Sequence, residues 1–216
     1  MPDAELSPPD ASAAAEPVET ATPPRKRPKP GERRVQILQA LATMLEQPGA
    51  ERITTAALAA RLEVSEAALY RHFASKAQMF EGLIEFIEQS VFTLINQIGE
   101  REPAGQAQAA KVVAMLLGFA EKNPGMTRVM VGDALVFENE RLQQRMNQFF
   151  DKIEATLRQS LREVAAADGS ATPTVDAQIR ASALTAFAVG RLQRFARSGF
   201  KRLPSEHLEA SVALML

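Results

Sequence analysis

Apolar residues recur at three- and four-residue steps along most of the chain, the spacing of helices with one buried face. The first stripe, Val35, Ile37, Leu38, Leu41 and Leu45, predicts a helix over about Arg33 to Gln47, stopped by Pro48 and Gly49. A shorter stripe of Ala57, Leu58 and Leu62 follows Thr54 and Thr55, two residues suited to starting a helix. Glu63 and Val64 break the pattern, and Ser65 is placed to cap a further helix by accepting from an N–H near residue 68. That helix buries Val64, Leu69 and Phe73 and turns Ser65, Glu66, Ala67, Tyr70, Arg71 and His72 outward. Two short helices separated by about three residues, the second with an exposed polar and aromatic face, have the geometry that enters a DNA major groove.

The pattern beyond is again helical. Ser75 caps a long helix over residues 76–98, striped by Phe80, Ile84, Ile87, Val91, Ile95 and Ile98. Residues 104–123 are apolar on nearly every side, as in a central helix, until Asn123-Pro124-Gly125 breaks them. Leu142, Met146, Phe149, Ile153, Leu157, Leu161 and Val164 mark a helix over 138–165. The next, over 174–199, has two apolar faces. Val175, Ile179, Ala186 and Val189 form one; Ala177, Ala181, Leu184, Ala188, Leu192 and Phe195 form the other. Either both faces are buried within one subunit or one of them meets a second copy of the chain. A last helix, with Leu208 and Val212, begins near Ser205. The predicted fold is all-α: an N-terminal three-helix helix-turn-helix domain over 33–75 and a helical dimerisation and partner-binding domain over 76–216.

Charge sharpens this division. Residues 1–24 carry five acids and no base, a net of −5, while residues 25–78 carry ten bases and five acids, a net of +5. Positive charge is thus concentrated on and just before the helix-turn-helix, where a phosphate backbone needs it. Residues 1–32 are expected to be a disordered acidic tail and basic arm. The run RKRPKPGERR, ending in Arg33 and Arg34, either touches phosphates or is a solvated charge run.

The chain has no cysteine, its two histidines are His72 and His207, and it has no glycine-rich phosphate loop. No catalytic activity, metal or cofactor is expected. No signal-like N-terminus or membrane-spanning run is read, so neither export nor membrane spanning is expected and the expected location is cytoplasmic.

The run from Ile53 to Lys76, with the spacing T-x3-L-A-x4-V-S-x3-L-Y-x2-F-x-S-K, resembles the TetR family of regulators. RITTAALAA, LIEFIEQS, LLGFAEKNPGMTR and RLQQRMNQFFDKIEATLRQSLRE extend the likeness to a branch of that family acting in nucleoid occlusion. The resemblance implies a homodimer on palindromic double-stranded DNA that also engages the division protein FtsZ and blocks ring assembly over the nucleoid. Its DNA contacts map onto Thr54, Thr55, Ser65, Glu66, Ala67, Tyr70, Arg71, His72 and Lys76. Its partner groove falls near Phe86, Gly118, Lys122 and Asn123. Two departures stand out: Glu63 where the family usually has Gly in the turn, and Leu94 where the groove often has a base.

Several of these residues admit a structural role. Thr54 and Thr55 cap a helix whether or not they meet phosphate, and His72 suits a structural or backbone contact better than base reading. Phe86 lies beside Met79 about 120° from the main stripe of its helix, so it either floors a peptide groove or packs under a neighbour. The alternative function is a transcriptional repressor released by a small ligand, which requires a sizeable closed cavity in the helical domain.

Overall fold

The computed structural model describes residues 31–47 and 53–216. The tail and arm through residue 30, and the Pro48–Gly49 stop, lie outside them. The described elements are α1 Glu32–Leu45, α2 Thr55–Arg61, α3 Glu66–Tyr70, α4 Lys76–Arg101, α5 Gln106–Lys122, α6 Pro124–Met130, α7 Glu140–Ala167, α8 Pro173–Arg197 and α9 Leu208–Ala213, with a 3-10 turn at Asp133–Leu135.

Local chemistry sets the starts of these helices. The side chains of Thr54, Ser65 and Ser75 accept from the backbone N–H of Ala57, Ala68 and Gln78 at 3.1, 3.2 and 3.2 Å. Each such cap contributes about 1 kcal/mol. The turn between α2 and α3 closes with Glu63 N–H donating to Ala60 and Val64 N–H to Ala59, the paired bonds of a Schellman ending. Glu63 occupies its left-handed position at φ 53°, a conformation costing a residue with a Cβ about 1 kcal/mol.

Ile37, Leu41, Leu45, Leu58, Leu69 and Phe73 are buried together in the core of the three-helix head. Val35, read as part of that face, is instead 53% exposed. It lies two residues before Ile37, about 200° around the helix, so it cannot share the same face. The first turns of α4 continue the head, since Gly82 lies against Phe73 and Leu38. That packing also explains why Met79 is buried while Phe86, on the same side of α4, is 48% exposed. By residue 86 the helix has run past the head.

In the second domain, α5 is buried along Val112, Val113, Leu116, Leu117 and Ala120, with Met115 and Phe119 half-buried. α7 and α8 form the most extensive helix pair. Arg145 binds both oxygens of Glu88, at 3.1 and 2.6 Å, tying α7 to α4. The hydrogen bond to Glu88 raises the Arg145 pKa further above its ordinary value, against the opposing effect of burial, with Glu85 and Glu81 adding attraction. Arg141 with Glu81 and Lys76 with Glu138, each at 2.5 Å, extend this ladder toward the head. α6 joins the two parts: a Cβ added to Gly125 would stand 1.9 Å from the carbonyl oxygen of Ala42 in α1.

α8 separates its two faces as its sequence requires. Ala177, Ala181, Leu184, Ala188, Leu192 and Phe195 are buried. Val175 and Ile179 are 55% and 63% exposed, Ala186 is exposed and Val189 half-buried. α9 starts at Leu208 rather than Ser205, because His207 before it is left-handed at φ 55°.

Candidate nucleic-acid interface and partner groove

The residues assigned to DNA come together on the head, most of them on one outward surface of α2 and α3. Thr54, Ser65, Glu66, Ala67, Tyr70 and Arg71 are exposed, and Thr55 and His72 half-buried. Part of this surface is pre-arranged: the Thr55 hydroxyl donates to Glu66 Oε2 at 2.5 Å, and the Tyr70 hydroxyl donates to Thr55 Oγ1 at 3.4 Å. In a helix-turn-helix the start of the second helix is the end that approaches base edges, and this network fixes side chains at the capped start of α3.

Two of the assigned cations already have partners within the chain. Arg34 donates to the carbonyl oxygen of His72, just past α3, and its guanidinium lies 4.1 Å over the Phe73 ring. It therefore ties α1 to the end of α3. Lys76 pairs with Glu138 and stands 5.7 Å from the Phe80 ring centroid, joining the head to the loop before α7. Arg33, half-buried in the first turn of α1, stands beside this clamp in sequence. Neither pairing can be read from local sequence, since the partners lie 38 and 62 residues away.

The second candidate surface is the seam between α4 and α5. Phe86, exposed, and Gly118, half-buried with no atom of another described element within 4 Å of a built Cβ, lie toward one end of it. Lys122 is exposed in the last turn of α5. Asn123 has a structural duty, since its amide donates to the Phe119 carbonyl at 2.7 Å and caps α5 before Pro124 opens α6. Farther along, roughly 12 Å from Phe86 at 1.5 Å per residue, Leu94, Ile98 and Met115 floor a cleft of about 320 Å³. Arg101 and Lys111 stand at its edge; Lys111 pairs with Glu102, whereas Arg101 has no ion-pair partner among the described residues. Sequence reading missed these two bases. Antiparallel packing of α4 on α5 brings them together, and two helical wheels set side by side would have found them.

Among the described residues, no group of three or more His, Cys, Asp or Glu side chains could hold a metal ion, and no helix is long and apolar enough to cross a membrane.

Comparison with known proteins finds two family matches along the chain. Residues 37–83 match the family described as bacterial regulatory proteins, tetR family, and residues 106–216 match the SlmA-like form of the tetracyclin repressor-like C-terminal domain. Solved structures share the fold. The fatty acid degradation regulator FadR from Bacillus halodurans covers 88% of this chain and 97% of its own at a TM-score of 0.70, with 14% identity. FadR from Bacillus subtilis, solved with stearoyl-CoA, covers 84% of this chain and 96% of its own at 0.67, with 15% identity. The chain is thus a DNA-binding regulator of the TetR family and not an enzyme. Its full-length relatives are more specific. It is 54% identical over 184 residues to the nucleoid occlusion factor SlmA of Vibrio cholerae, covering 85% of this chain and 93% of the relative. It is also 54% identical over 179 residues to SlmA of Escherichia fergusonii, covering 82% and 90%. Within the TetR family, the chain belongs with the SlmA nucleoid occlusion factors.

Proposed function

We propose that the chain acts as a homodimer on palindromic sites of the nucleoid, and that while bound there it captures FtsZ through the α4–α5 seam and stops the division ring assembling. DNA contact is assigned to Arg33, Thr54, Thr55, Ser65, Glu66, Ala67, Tyr70, Arg71 and His72, with Arg34 and Lys76 holding the head in place. The observation that carries the partner surface is Gly118. A glycine within a helix forgoes about 1 kcal/mol relative to alanine, and among the described residues nothing packs close enough to require one there. Close approach by another molecule supplies the reason. Exposed Phe86 gives that molecule an apolar floor, and Lys122 and Arg101 favour an acidic one.

Phe86→Ala and Lys122→Glu test this assignment. Each is expected to reduce FtsZ antagonism at least about tenfold, the loss of one good anchor contact, while binding DNA as the wild type does. Undiminished antagonism in both variants would remove the seam as the partner surface.

A ligand-released repressor is the second reading, favoured by a cleft of about 960 Å³ between α5 and α9, large enough for a small molecule. That cleft is an open surface groove. Val112, Leu116, Leu117, Leu157 and Leu184 fill the interior of the helical domain at no more than 1% exposure. The geometry therefore favours capture of a partner over enclosure of a ligand.

A further inference from the structure

Glu66 is the one acid on the outward face of α3, whose other exposed side chains are neutral or basic. A carboxylate facing a phosphate backbone is repelled by it; its place in the first turn of α3 returns a small helix-dipole gain that is the same for every DNA sequence. The Thr55 hydroxyl engages Oε2, and the Tyr70 hydroxyl engages Thr55, so α2 and α3 together set the direction of the carboxylate. Oε1 has no hydrogen-bond partner among the described residues.

We propose that Glu66 is a specificity-determining residue that reads a cytosine in each half-site, with Thr55 as its positioning residue. This rests on α3 being the recognition helix. An ionised carboxylate accepts hydrogen bonds and donates none. In the major groove guanine presents two acceptors, and thymine presents an acceptor and a methyl group. Adenine presents a donor beside the N7 acceptor, which repels the second carboxylate oxygen. Cytosine presents its N4 amine with no acceptor on the same base edge. Glu66 therefore gains most at cytosine, less at adenine, and loses at guanine and thymine. Repulsion from phosphates weakens binding to every sequence alike and leaves this ranking intact.

The test is selection from a duplex library randomised across both half-sites, read by sequencing, with the full-length chain and its variants. The wild type should enrich one cytosine per half-site by about 10- to 100-fold over guanine or thymine. Glu66→Ala should level that position, keep the rest of the site, and bind unselected DNA at least as tightly as the wild type. Glu66→Gln should move the preference to adenine, whose N6 and N7 an amide can engage together. Thr55→Val should weaken the cytosine preference without abolishing it. These side chains are exposed or half-buried, and helical circular dichroism confirms that each variant is folded. A Glu66→Ala site identical to that of the wild type at every position would overturn the proposal while leaving DNA binding in place. No enriched sequence for the wild type would overturn the recognition-helix assignment as well.

Discussion

Arg34 shows how a side chain's partners change what its charge means. Charge and position place it with Arg33 at the start of the head, as a phosphate contact. Its stacking on Phe73 and its bond to the His72 carbonyl make it a clamp on the end of α3. The two roles separate by salt dependence. A lost phosphate contact lowers the slope of log affinity against log salt by about one unit, whereas a lost clamp weakens binding at an unchanged slope. Arg34→Ala should therefore bind DNA more weakly with the wild-type slope and lose about 1 kcal/mol of stability. Arg34→Lys should behave similarly, because lysine lacks the planar fork. A reduced slope in DNA titrations across salt concentrations would restore Arg34 to the phosphate-contacting set. Residue identity and motif spacing made the exposed positions of α3 legible in advance. The commitments of Arg34 and Lys76 were not, because they depend on helix packing across the chain.

Among the elements, α6 is the short link between head and helical domain, and a glycine sets how closely it lies on α1. Gly125→Ala should cost about 3 kcal/mol or more in urea unfolding, because its Cβ meets a backbone carbonyl that cannot turn aside. Gly118→Ala should act in the opposite direction, raising stability by up to about 1 kcal/mol while weakening partner capture. A stability loss at Gly118 would show that its role lies inside the fold. Hydrophobic periodicity located these helices well but placed their ends less closely. α7 begins at Glu140 rather than 138, where Asn139 accepts from the Arg141 N–H as its cap. Phe86 was legible as lying off the buried stripe. Burial of Met79 beside it was not, because that depends on where the head ends along α4.

For the whole molecule, the open face of α8 matters most. Val175 and Ile179 are too exposed for members of a finished core, and Gly190 on the same helix has no atom of another described element within 4 Å of a built Cβ. A second copy laid along this face would bury those side chains, and dimers of helix-turn-helix proteins read two half-sites about 34–36 Å apart. Ile179→Glu should give a monomer in sedimentation velocity and lose most of its affinity for a palindromic site. A stable dimer carrying that substitution would move the interface elsewhere. Both α8 faces could be read from its periodicity. A single sequence left open whether the outer one is covered within the subunit, and the exposure of Ile179 answers that.

The function proposed for the chain is to disable the division polymer once it is on DNA. Its most direct test is sedimentation of FtsZ polymerised with GTP, with this protein added alone and with a palindromic site that it binds. Pelleted FtsZ should fall in the presence of protein and site together, and much less with protein alone. Unchanged polymer under both conditions would contradict the proposed function.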